Sequence, residues 1–160
     1  MIDNDPTSAT FNSYGDVAGL LAFATSRGYD VPEDTAEMLL FQAIDFLNLQ
    51  SWAGEPTDSA QALPWPRSGV KVGRRDIPDD KIPPVLVTAQ YRLAIAAQDM
   101  ELMPGYSGAQ AVEEAVSGAV SVKYSESTIG AGVTFPWLRA LLGDLLDAGA
   151  SSVNFRVMRN

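Results

Sequence analysis

A mainly helical α+β fold is predicted: a small bundle of about four helices, a β-hairpin, and a C-terminal strand or extended tail. Two observations carry this. Four stretches repeat apolar residues at helical spacing between recognisable start and stop signals, whereas residues 111–124 and 153–158 switch to two-residue alternation. At 160 residues the chain fits one domain, 1–160, and a chain of this size buries roughly 70% of its unfolded surface, enough for a core without covalent staples.

The first ten residues, "MIDNDPTSAT", are polar and acidic and read as a flexible leader with no export signal. "SYGDVAGLLAFATSRG" follows as an amphipathic helix carrying Val17, Leu20, Leu21 and Ala24, started by Ser13 or Gly15 and stopped by Gly28. "VPEDTAEMLLFQAIDFLNLQ" opens on a proline and acids that suit a helix N-terminus, with the stripe Ala36, Leu39, Leu40, Ala43, Ile44, Leu47. Met38, Phe41, Phe46 and Leu49 lie off that stripe, so a second apolar face must meet something, either within the monomer or on another subunit.

Residues 51–82 hold no sustained period and many prolines and glycines, and so form a long loop of the kind that usually interacts. Within it "QALPWPRSGV" sets Trp65 between two prolines, which predicts a stiff extended segment. There Trp65 is expected to be buried against the second and third helices, with Arg67 pairing with a carboxylate such as Asp45. "KIPPVLVTAQYRLAIAAQDMEL" starts a third helix at its proline pair, with Leu86, Ala89, Leu93, Ala97 and Met100 on one face and Val87, Tyr91, Ile95 and Leu102 on another. "AVEEAVSGAVSVKY" reads as a hairpin turning at Ser117-Gly118. Thr134 caps a final helix with Leu138, Leu141, Leu142 and Leu145, stopped by Gly149, and "SVNFRVMRN" alternates as a terminal strand.

The composition narrows the chemistry. Cysteine and histidine are both absent, which removes disulfides, thiolate sites, the commonest general base and the commonest metal ligand, so no enzyme and no cofactor are expected. No stretch approaches the ~20 apolar residues of a bilayer span, and no membrane partner is expected. Net charge is −9, and it resides in residues 1–66, where ten acids face Arg27 alone. "GVKVGRRD" lacks the spacing of a phosphate loop, and Asp76, Asp79 and Asp80 pair more readily with Arg74, Arg75 and Lys81 than with a cation. Trp65 with Arg67, Lys71, Arg74 and Arg75 would be the elements of a single-stranded nucleic-acid clamp. The competing reading places the tryptophan in a pocket. It lets Arg74 and Arg75 meet the acidic half of a neighbouring subunit head to tail, with Phe41 and Phe46 also at the subunit interface.

The series "SYGDVAGLLAFATSRG", "LLFQAIDFL", "SWAG", "QALPWPRSGV", "IPPVLVTAQYRLA", "VSGAVSVKY" and "FPWLRALLGDLL" resembles the head-tail connector, or adaptor, proteins of tailed bacteriophages over roughly residues 11–159. Members of that family are often labelled DnaT-like single-stranded DNA-binding proteins. The family more usually has a small residue before the tryptophan, where this chain has Pro64. The resemblance implies a virion protein assembled in the host cytoplasm: a homo-oligomeric, twelvefold ring beneath the portal that extends the DNA channel and presents a platform to the next neck or tail protein. DNA would pass through without specific binding. Ser151–Asn160 would reach the portal, with Val153, Phe155, Arg156, Val157 and Arg159 docking by strand addition. The sequence leaves open whether loops 51–82 and 125–133 order only on assembly. The alternative is a single-stranded DNA-binding module.

Overall fold

The computed structural model describes residues 1–104, 111–115, 121–124 and 133–147. The chain divides into two units, Met1–Leu102 with Phe135–Asn160, and Met103–Thr134. The architecture is the helix-rich α+β arrangement that the sequence predicts.

In the larger unit, α1 spans Val17–Thr25 and α2 spans Glu33–Asn48. Asp16, rather than Ser13 or Gly15, caps α1, its Oδ1 accepting the Gly19 amide at 2.6 Å. Ser13 is buried and its hydroxyl donates to the Gly15 carbonyl at 2.6 Å, so it is unavailable as a cap. Gly28 ends the element at φ +76°, a left-handed conformation that favours glycine. Every residue of the predicted α2 stripe is buried, and the helix packs against α1 on one side and α3, Pro84–Ala96, on the other.

Helix α3 begins at the proline pair as expected, Pro83 standing at the cap position and Pro84 in the first turn, and it also packs against α4, Pro136–Leu142. Leu86, Ala89 and Leu93 are fully buried; burying a leucine completely contributes about 1.5–3 kcal/mol. Met100 lies beyond the helix end and is 41% exposed, so it is not part of the inward face. Tyr91 packs on Phe23 with ring centroids 5.5 Å apart. It occupies a slot between Gly15 and Gly19, where a Cβ at either glycine would collide with its ring or hydroxyl.

Residues 51–82 contain two short antiparallel pairs that periodicity does not reveal. Strands β1, Glu55–Pro56, and β2, Arg67–Ser68, form the first; β3, Lys71–Val72, and β4, Arg75–Asp76, form the second. Both are fastened to the C-terminal end of α4. Trp52 and Leu146 form an isolated bridge flanked by Ala53 N–H to Leu145 O at 2.9 Å and Asp147 N–H to Ser51 O at 3.0 Å. The Gly73 amide donates to Asp144 Oδ2 at 2.9 Å. These contacts explain where α4 departs from expectation. It gives way to a 3₁₀ turn at Gly143–Leu145 and to extended backbone at Leu146, instead of running on to Gly149. Phe135 takes the cap position with no side-chain cap bond, so Thr134 does not cap.

The leader is tied down by a hub at Asp3. Its carboxylate accepts from Ser8 Oγ at 2.5 Å, Thr10 Oγ1 at 2.6 Å and the Asp5 amide at 3.1 Å, while its carbonyl accepts the Asn12 and Ser13 amides. Those donors hold its carboxyl below the ordinary 3.8, the Ser8 hydroxyl first. A carboxylate depressed by folding contributes stability that is complete above the unfolded value and vanishes as pH falls through the folded one. Protection of the Asp5 amide from hydrogen exchange is therefore expected to hold from neutral pH down to about 3.8 and to disappear below it. Asp3→Asn should abolish that dependence.

In the smaller unit β5, Ala111–Ala115, pairs antiparallel with β6, Ser121–Tyr124, with a register irregularity between Ala111 and Glu113. The expected turn at Ser117-Gly118, the loop 125–132, Gly149 and the terminal strand lie outside the described residues.

Candidate functional site

The most constrained polar and aromatic geometry lies in "QALPWPRSGV". Trp65 is fully buried and meets Trp52 edge-to-face, ring centroids 5.9 Å apart at 89°. Its peptide bond to Pro66 is cis. Neither indole N–H has an acceptor among the described residues, so the pair is held by packing. Tyr14 is buried nearby. Its hydroxyl approaches the Trp65 backbone without a hydrogen bond of normal geometry, and burial pushes the phenol up, opposed by that backbone and the Arg67 charge.

Arg67 does not pair with Asp45. Its guanidinium faces a curl of backbone instead: Nε donates to Ala53 O at 2.7 Å, Nη2 to Gly54 O at 2.6 Å and Nη1 to Pro64 O at 3.1 Å. The pairing of Pro56 with Arg67 brings these carbonyls to it. Gly54 makes the curl at φ +67°, and a Cβ there would run into the Ser68 carbonyl. Burial lowers the Arg67 pKa from its ordinary value, opposed by Tyr14 and Glu55, and the residue is only 9% exposed. Asp45 lies on the exposed side of α2, where solvent meets its charge.

A second polar centre, which the sequence reading missed, is Gln90. It is fully buried on α3 and uses all its bonding capacity. Oε1 accepts the Tyr14 and Gly15 amides at 3.1 and 2.9 Å, and Nε2 donates to Ser13 Oγ at 2.7 Å and Leu40 O at 3.2 Å. One side chain thereby joins the entry to α1, the middle of α2 and α3. An amide set among Leu86, Ala89, Leu93 and Ala94 was the available signal.

The remaining cations stand apart from this bracket. Lys71, Arg74 and Arg75 are exposed on the β3–β4 hairpin, whose turn begins at Gly73, φ +61°. Lys71 lies 3.4 Å from Asp76, both well exposed. The five-part clamp of Trp65, Arg67, Lys71, Arg74 and Arg75 is thus divided, its aromatic and one arginine inside the fold and three cations outside. Phe46 is buried edge-on to Phe135 at 5.4 Å and so belongs to the core and not to a subunit interface; Phe41 is half-buried. Val153, Phe155, Arg156, Val157 and Arg159 lie outside the described residues.

Two clefts of about 400 Å³ each open on the larger unit. One lies between Tyr29, Asp30, Arg92, Asp99 and Trp137, with the Arg92 guanidinium 5.8 Å from the Trp137 ring centre. The other, beside the leader, is edged by Asp58, Asp79 and Asp80. Among the described residues no three acids are grouped to hold a metal ion, and no helix is long and apolar enough to cross a membrane.

Residues 1–160 match the model of a family described as "Putative DnaT-like ssDNA binding protein". No curated protein and no solved structure matches the chain, and the connector resemblance has no counterpart among these comparisons.

Proposed function

The chain belongs to this DnaT-like family, and within it we propose a non-enzymatic structural role: a subunit that self-associates into a ring of the head-tail connector kind, passing DNA without gripping it. The observation that carries this reading is the fate of the clamp. Stacking on single-stranded DNA needs an accessible aromatic beside cations. Trp65 is fully buried, and the Arg67 guanidinium is bonded to three backbone carbonyls. An overall charge of −9 adds repulsion toward phosphate. The resemblance of "QALPWPRSGV" and "IPPVLVTAQYRLA" to connectors supports the ring, the portal partner and the virion location.

Single-stranded DNA binding is the second reading, and the family description favours it over the first. Lys71, Arg74 and Arg75 on the exposed hairpin would be its cations. Titrating a fluorescent oligothymidylate at several salt concentrations separates the two. DNA binding through these three side chains predicts a log–log salt slope of about −2 that Lys71→Glu/Arg74→Glu/Arg75→Glu removes. The structural reading predicts no saturable binding. It also predicts capture of the chain by a portal ring, lost when residues 151–160 are deleted; capture that survives the deletion would displace the docking role of Phe155 and its neighbours.

A further inference from the structure

Two surface features of the larger unit have no partner within it. On α2, Asp34, Met38, Phe41, Asp45 and Leu49 fall on one side of the helix, since successive steps of three or four residues return to the same face. Met38 is 51% and Leu49 70% exposed, Phe41 is half-buried, and Asp34 and Asp45 are exposed between them. The result is an apolar stripe interrupted by carboxylates. At the β3–β4 hairpin the pattern is inverted: Val72, 45% exposed, stands among Lys71, Arg74 and Arg75. Apart from Lys71 with Asp76, none of these charged groups has an ion-pair partner among the described residues.

We propose that the β3–β4 hairpin of one copy of this chain packs on the α2 stripe of the next, Val72 against Met38 and Leu49, with Arg74 and Arg75 facing Asp34 and Asp45. This rests on the self-association reading above and names the surfaces that would carry it. Pairing of two α2 stripes face to face would set Asp34 and Asp45 against their own copies, and two hairpins would oppose their cations. Hairpin on stripe satisfies both the apolar and the charged groups. Because the two patches differ, the contact is heterologous and repeats from subunit to subunit, as a ring requires. The rim charges set register and association rate, while the apolar contacts exclude water at the centre. The hydrogen bond from the Gly73 amide to the Asp144 carboxylate fixes the hairpin to the unit, so it is presented in a defined direction.

The absence of cysteine makes the test direct. Val72→Cys is mixed with Met38→Cys, and separately with Ala18→Cys, an exposed position on α1, and mixed-disulfide formation is followed under mild oxidation. The contact predicts a rate about tenfold or more above the Ala18 control, from the raised effective concentration. It also predicts that Asp45→Arg slows the reaction and that Arg75→Glu on the other partner restores it. Sedimentation of the wild-type chain reports self-association independently. If the chain associates but the Met38 pair reacts no faster than the control, this contact is wrong and the ring reading survives. A chain that stays monomeric even with the portal, and shows no preferential cross-link, removes both. Loss of oligonucleotide binding in Arg74→Glu/Arg75→Glu with unchanged cross-linking would assign the hairpin to nucleic acid and overturn the proposal.

Discussion

Trp65→Ala is expected to lower the unfolding free energy by about 3–5 kcal/mol, the range for aromatic truncation in a core that cannot collapse around the void. The side chain is fully buried, and Trp52 meets it at a right angle. Arg67, anchored two residues on by three carbonyls, limits how far the loop can move in to refill the space. Urea denaturation, repeated across a wide range of protein concentration, is the measurement. A loss independent of concentration places the tryptophan in the monomer core; a loss confined to assembled protein would place it at a contact between subunits.

Gln90→Leu has nearly the same volume and a different consequence. It removes the side-chain acceptor of the Tyr14 and Gly15 amides and takes a donor from the Leu40 carbonyl and from the Ser13 hydroxyl, which keeps its own bond to the Gly15 carbonyl. A buried polar group left unsatisfied costs about 1–3 kcal/mol, and with partial relaxation the sum should reach about 3–5 kcal/mol. The loss should be visible first at the Tyr14 and Gly15 amides, whose hydrogen exchange is expected to accelerate more than that of the α2 amides around Leu40. Uniform acceleration across all three helices would mean that the glutamine stabilises the whole fold without specifically holding the entry to α1.

The legible part of the fold was the part encoded at short range. The α2 stripe from Ala36 to Leu47 could be read because each position repeats the same environment, and the start of α3 because Pro83 and Pro84 restrict the backbone directly. The stiff setting of Trp65 was legible for the same reason. What could not be read depends on residues far apart in sequence. Arg67 looked like half of an ion pair because a guanidinium's usual partner is a carboxylate, and nothing local reveals that the turn at Gly54 brings the Ala53 and Gly54 carbonyls to join that of Pro64 around it. Gln90 resembles any polar residue on a helix until Ser13–Gly15, some 75 positions earlier, is brought alongside. Helix α4 stopped early because Ser51–Ala53 takes up the backbone of Leu145–Asp147, a competition invisible within "FPWLRALLGDLL".

The bridge between Trp52 and Leu146 also has a mechanical meaning. Tension applied at Asp147 would not first peel α4 from its end. It would load the two hydrogen bonds between Ser51–Ala53 and Leu145–Asp147, and through them the stiff segment that holds Trp65. A pull at Asp147 is thus shared with the segment in which Trp52 meets the fully buried Trp65, so the strand pairing, and not the last turn of α4, resists it as a cleat holds a line.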